Sequence, residues 1–145
     1  MTHGSMSFSV EDNILVINGR GPWNLNAIER GVVDTNEQIK TLYHKPWGVL
    51  MIALGDSILV PEAAIRLTKI IESDRRKGRL ATALVIRECG IPKFVEQHLG
   101  QIYLSAGDEF KYFDEITDAK QWLQQLLKCN YPLVPTQINI KGTNN

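Results

Sequence analysis

The sequence predicts one α/β domain: a sheet of about five strands, with an N-terminal antiparallel hairpin and a parallel centre, covered by four helices. Three observations predict it. Two continuous apolar runs, Val49–Leu54 and Leu80–Ile86, have strand length and no polar alternation, as strands buried on both faces do. Segments with helical apolar spacing follow each of them. Two short apolar segments precede them, separated only by Glu11-Asp12-Asn13, which reads as a hairpin turn.

Phe8 and Val10 alternate with polar neighbours and form the first strand of that hairpin; Ile14–Ile17 form the second, ended by Gly19-Arg20-Gly21-Pro22. Asn24 or Asn26 can cap the first helix, whose apolar positions are Ile28, Val32, Ile39, Leu42 and Tyr43. Gly31 weakens its middle by about 1 kcal/mol relative to alanine, and Pro46 ends it. After the central strand, Gly55-Asp56-Ser57 opens a loop and Pro61 starts a helix striped by Ala64, Leu67, Ile70 and Ile71, with Gly78 at its C-terminal end. Pro92 starts a third helix with Val95, Leu99, Ile102 and Tyr103 on one side. Phe110–Phe113 is a short fifth strand. Thr117 is placed to cap a last helix carrying Ala119, Trp122, Leu123, Leu126 and Leu127. The order is β-β-α-β-α-β-α-β-α. Residues 1–6 read as a leader, 7–127 as the domain and 128–145 as a tail, in which Ile138 and Ile140 alternate like an edge strand.

At 145 residues the chain can bury a substantial core. Its 16 basic and 16 acidic residues cancel, which argues against a general nucleic-acid binder, since such binding rests on neutralising phosphates. The basic cluster Arg75-Arg76-Lys77 with Arg79 reads as a solvated helix end. No apolar run approaches transmembrane length and no signal-peptide region is present, so a cytoplasmic protein with reduced Cys89 and Cys129 is expected.

No catalytic constellation stands out, and the chain is expected not to be an enzyme. His3, His44 and His98 are far apart, and no His-Cys-acid group has metal-ligand spacing, so neither a metal nor a cofactor is expected. Ser57 lacks a nucleophile elbow. The glycines at 19 and 21 do not make a dinucleotide fingerprint. Cys89 reads as an inert thiol, and the pairs Asp108-Glu109 and Asp114-Glu115 as solvated turn residues. In open α/β sheets, ligands bind beyond the carboxyl ends of the parallel strands. Those loops are 20–24, 55–60 and 87–91, and the candidate contact residues on them are Arg20, Trp23, Asp56, Ser57, Ile58, Leu59 and Arg87. The apolar run Ile58-Leu59-Val60 is unusual for a loop; it suits burial under a helix, the lining of an apolar pocket, or a subunit interface.

Three phrases carry a resemblance: Gly21-Pro22-Trp23-Asn24 after the second strand, Pro46-Trp47-Gly48 before the central one, and Phe113-Asp-Glu-Ile-Thr-Asp-Ala-Lys-Gln-Trp-Leu123 at the last strand–helix junction. With the element order, they make residues 7–127 resemble the SpoIIAA-like family, which is related to STAS domains. The resemblance implies a non-catalytic module for signalling or protein interaction, of the kind that antagonises anti-sigma factors, with a protein partner or self-association as a dimer. The likeness of such proteins to CRAL-TRIO folds implies a second possibility, a carrier of a small apolar or lipid-like ligand. One departure matters. The regulatory STAS pattern places a phosphorylatable serine where the helix after the central strand begins. Here that helix begins Val60-Pro61-Glu62-Ala63, without a hydroxyl, and Ser57 lies upstream in the loop.

Overall fold

The computed structural model describes residues 4–130. Its elements follow the expected order: β1 Ser5–Glu11, β2 Ile14–Arg20, α1 Leu25–Lys40, β3 Trp47–Leu54, α2 Pro61–Arg75, β4 Arg79–Arg87, α3 Pro92–Ser105, β5 Glu109–Tyr112 and α4 Ile116–Asn130. β1 opens at Ser5, inside the stretch read as a leader. α4 starts at Ile116, so Thr117 lies within its first turn and does not precede it as a cap. The strand suggested by Ile138 and Ile140 lies outside the described residues.

The spatial strand order is β1-β2-β3-β4-β5, identical to the chain order. β1 and β2 are antiparallel; β2, β3, β4 and β5 run parallel. Crossovers between neighbouring parallel strands are right-handed, so an order that never reverses puts every crossover helix on the same face. Accordingly α1, α2 and α3 share one face, where Ala27, Ile28, Ala63, Ile71, Val95 and Leu99 pack on Met51, Ala53, Leu84 and Ile86. α4 covers the other face, with Ala119, Leu123 and Leu127 on Val16, Leu50, Ile52, Ala83 and Val85. Alternate residues of β3 and β4 thus enter opposite cores, which is why both strands are apolar throughout.

Asn24 is the N-cap of α1, its Oδ1 accepting the Ala27 N–H at 2.9 Å. Gly78 ends the turn after α2 with φ +107, a conformation that favours glycine, and Trp47 packs beside it with its indole N–H donating to Lys77 O at 3.0 Å.

Arg76, Lys77, Glu109, Asp114 and Glu115 are exposed, as their sequence reading has them, but Arg79 and Asp108 are placed differently. Arg79 and Asp108 are both buried. Asp108 accepts from Arg75 Nη1 at 2.9 Å and from Arg79 Nε at 3.2 Å, and Arg79 also faces Asp74 at 3.5 Å. The network joins the end of α2 to β4 and to the turn before β5. Burial raises the Asp74 carboxyl above its ordinary value, against the pull of Arg79 and Lys77. Burial also pushes the nearby Tyr103 phenol well up, so it stays protonated. No helix among the described residues is long and apolar enough to cross a membrane.

Candidate functional site

The loops after β2, β3 and β4 meet at one end of the sheet. Because the strand order never reverses, no crevice opens between diverging loops, as it would at a topological switch point. The loops close on one another instead. Gly21 N donates to Leu54 O at 3.3 Å, and Gly55 N donates to Arg87 O at 2.9 Å. Gly21 lies so close to the neighbouring loop that a Cβ there would sit 2.6 Å from Ser57 Cα and 2.8 Å from Asp56 O. Only glycine permits that approach.

Trp23 and Leu59 form an isolated parallel bridge. Trp23 N donates to Ile58 O at 2.9 Å and Val60 N to Trp23 O at 3.2 Å. Apolar burial explains the run Ile58-Leu59-Val60: Leu59 is inside the core, Ile58 packs on it, and Val60 turns outward as the residue before Pro61.

Apart from Ile58, which is half-buried against the core, the candidate residues separate into three groups. Ser57 is fully buried, with its Oγ donating to Leu54 O at 2.9 Å, and Trp23 and Leu59 are buried too. These three offer no surface to a macromolecule in this conformation, because their side chains hold the loops together. Arg20 and Asp56 stay at the surface. Arg20 reaches across Gly55 to form an ion pair with Glu88, which sits at φ +53. Asp56 accepts weakly from the half-buried Cys89 thiol at 3.5 Å. Arg87 points elsewhere: its Nη1 donates to Asp114 O at 2.7 Å and its Nη2 lies 3.7 Å from Glu115, so it ties β4 to the start of α4.

Sequence reasoning flagged Val60 only as part of the run Ile58-Leu59-Val60 and missed Ile91 and Phe94. Val60, Ile91 and Phe94 are 41%, 42% and 54% exposed, large apolar side chains at the starts of α2 and α3. For Ile91 and Phe94 the sequence signal was their place beside Pro92, which opens α3. His98, one turn after Phe94 and stacked against it at 6.2 Å, accepts the Leu59 N–H at Nε2 (3.0 Å). Burial lowers its pKa below the ordinary 6.5.

Beneath the loops lies a partly open apolar cavity of about 70 Å³, walled by Met6, Trp23, Ile28, Met51, Leu67 and Leu99, with Arg79 and Tyr103 also lining it. The indole N–H of Trp23 has no hydrogen-bond partner among the described residues.

No family model matches the sequence, and no curated protein does. Among solved structures, the chain is similar to an uncharacterized protein of the DUF3478 family with a SpoIIAA-like fold, from Shewanella loihica PV-4. The identity is 16% and the TM-score 0.57, over 83% of this chain and 94% of that one. The five-stranded mixed sheet with its four helices is accordingly a SpoIIAA-like fold.

Proposed function

We propose that the protein is a non-catalytic interaction module that binds a protein partner, or a second copy of itself, through the end of the sheet where the three loops meet. One observation carries this reading. Val60, Ile91 and Phe94 are exposed large apolar side chains at the starts of α2 and α3, the helices that follow loops carrying the polar Asp56 and Glu88. Apolar anchors inside a polar rim are the usual anatomy of a docking patch. The closed loops favour the same reading, since they leave a surface and not a cleft. Ser57 enters it only as a brace: a phosphate on its Oγ requires the loop to open first, because the hydroxyl is buried.

The test is sedimentation equilibrium together with affinity capture of named partners, on the wild-type chain and on Val60→Asp and Phe94→Asp. Both positions are exposed, so both variants are expected to fold. Loss of a wild-type complex in either variant supports the proposal. A wild-type chain that stays monomeric at high concentration and captures no specific partner overturns it.

A second reading, a binder of a small apolar ligand, is favoured by the cavity and by the unpaired Trp23 N–H within its wall. Its size weighs against a long chain: 70 Å³ is about half the ~150 Å³ that admits benzene in an engineered apolar cavity. A ligand of a few heavy atoms with one acceptor fits that space; an acyl chain requires the helices to move. Native mass spectrometry of freshly purified protein checks it, and a bare mass throughout removes it.

A further inference from the structure

The segment between β3 and α2 is held from two sides. From the α1 side, Trp23 holds it through two backbone hydrogen bonds, to Ile58 O and from Val60 N. From the α3 side, one hydrogen bond among the described residues holds it, the Leu59 N–H donated to His98 Nε2 at 3.0 Å. The first tie is backbone and does not titrate. The second ends on an imidazole.

That contact fixes the chemistry of the ring. Nε2 accepts only while it carries no proton, so neutral His98 holds its hydrogen on Nδ1. Adding a second proton turns Nε2 into a donor, and it then faces the donor of Leu59. The hydrogen bond cannot survive that change. Leu59 is buried, so its amide is left without an acceptor, a state that folded chains avoid.

The surroundings do little to offset this. Glu62 and Arg66 lie in the first turns of α2, Asp56 lies in the loop, and Lys93 and Glu96 lie on α3 itself. Arg66 is engaged by Glu29 from α1, and Asp56 by Cys89. None of these groups forms an ion pair with the ring, and burial is the one cause of its downward shift. Phe94 stacks at 6.2 Å, just outside the roughly 6 Å within which an aromatic face stabilises a cation.

We infer that His98 is an acid-operated latch on the β3–α2 segment: neutral, it holds Leu59 against α3, and protonated, it releases that side of the segment. The segment carries the exposed Val60 and braces Trp23, so release loosens both Val60 and the Trp23 wall of the apolar cavity. The inference goes beyond the interaction reading and does not depend on it, because its test needs the free chain alone.

The test is NMR on the unmodified protein from about pH 5 to 8, the range in which histidines titrate. Imidazole nitrogen shifts report the tautomer and midpoint of His98, and amide exchange, corrected for its intrinsic pH dependence, reports Leu59. The expected result is an Nδ1–H tautomer, a midpoint below 6.5, and protection of Leu59 that falls roughly tenfold or more at that same midpoint, as local opening predicts. The Trp23 and Val60 amides fall less. His98→Gln places an amide oxygen near the position of Nε2, and it is expected to keep Leu59 protected without pH dependence. His98→Leu is expected to lose the protection at every pH. Protection of Leu59 that stays flat while His98 titrates overturns the inference. So does an Nε2–H tautomer, a midpoint at or above 6.5, or an unchanged pH dependence in His98→Gln. If His98→Leu does not fold, the wild-type titration and the glutamine variant decide alone.

Discussion

Thr82 Oγ1 donates to Asp108 Oδ2 at 2.6 Å, in the middle of a buried charge network that ties α2, β4 and the turn before β5 into one unit. The two residues are 26 positions apart in the chain, and the carboxylate balances two guanidinium groups, of Arg75 and Arg79. Removing one member of a buried ion pair is far more damaging than never having had it, because the remaining charge keeps its desolvation cost and loses its partner.

Asp108→Ala is therefore expected to destabilise the fold by about 3–5 kcal/mol, read from urea denaturation midpoints. Arg79→Met combined with Asp108→Leu is expected to recover part of that loss, because the pair is then replaced by apolar volume. A double variant as unstable as the alanine single variant contradicts this account.

Gly21 and Gly31 respond in opposite directions to alanine. At Gly21 the new methyl meets backbone atoms of Ser57 and Asp56 that cannot move aside without parting the two loops. A loss of about 1–3 kcal/mol is expected. At Gly31, in the middle of α1, the methyl finds only Met6 and Phe8 at an ordinary 3.5 Å. A gain of about 0.5–1 kcal/mol is expected there, from better helix propensity. Calorimetric melting temperatures check both signs.

Two buried tryptophans separate the contribution of a hydrogen bond from that of packing. Trp47 donates to Lys77 O, whereas Trp23 has an unpaired N–H. Replacement by phenylalanine removes similar volume at each. Trp47→Phe is expected to cost more than Trp23→Phe by about 1 kcal/mol, the net worth of one hydrogen bond. Denaturant midpoints measured side by side give the comparison.

His98 also gives a pH dependence of global stability. Its folded pKa lies below its unfolded value of 6.5, so the unfolded chain binds more protons between the two. The contribution is fully present above 6.5 and is lost as pH falls from there through the folded pKa. His98→Gln is expected to flatten this component. Stability profiles of wild type and variant that keep the same slope below 6.5 contradict it.

The fold was legible because its strongest signals are local. The unbroken runs of β3 and β4 announce two-faced burial, and the stripes of α1 to α4 announce one-faced burial. The charge network was not legible. Asp108-Glu109 looks like a turn, and Asp108 becomes core only because Arg75 and Arg79 arrive from residues far away in the chain. The candidate loops were located, but not which side chains face outward. Ser57 and Leu59 are adjacent to surface residues; the bond to Leu54 O holds Ser57 inward, and Leu59 is buried beside its bridge to Trp23. The acceptor role of His98 depends on a contact spanning 39 positions, and no spacing rule carries that.

The identity of spatial and chain order in the sheet bears on how the chain assembles during synthesis. Among the described residues, every strand after the first pairs with its immediate predecessor, so none of these strands waits for a partner made later in the described order. The β1–β2 hairpin can form first, and each following helix–strand unit adds to an edge already present, closing a loop of only one unit's length. α4 follows the five strands, and it seals the face carrying Val16, Leu50, Ala83 and Val85. Until it docks, that apolar face stays uncovered. Docking of α4 is thus the step on which escape from aggregation depends, and a chain truncated before Ile116 is the form of this domain most in need of a chaperone.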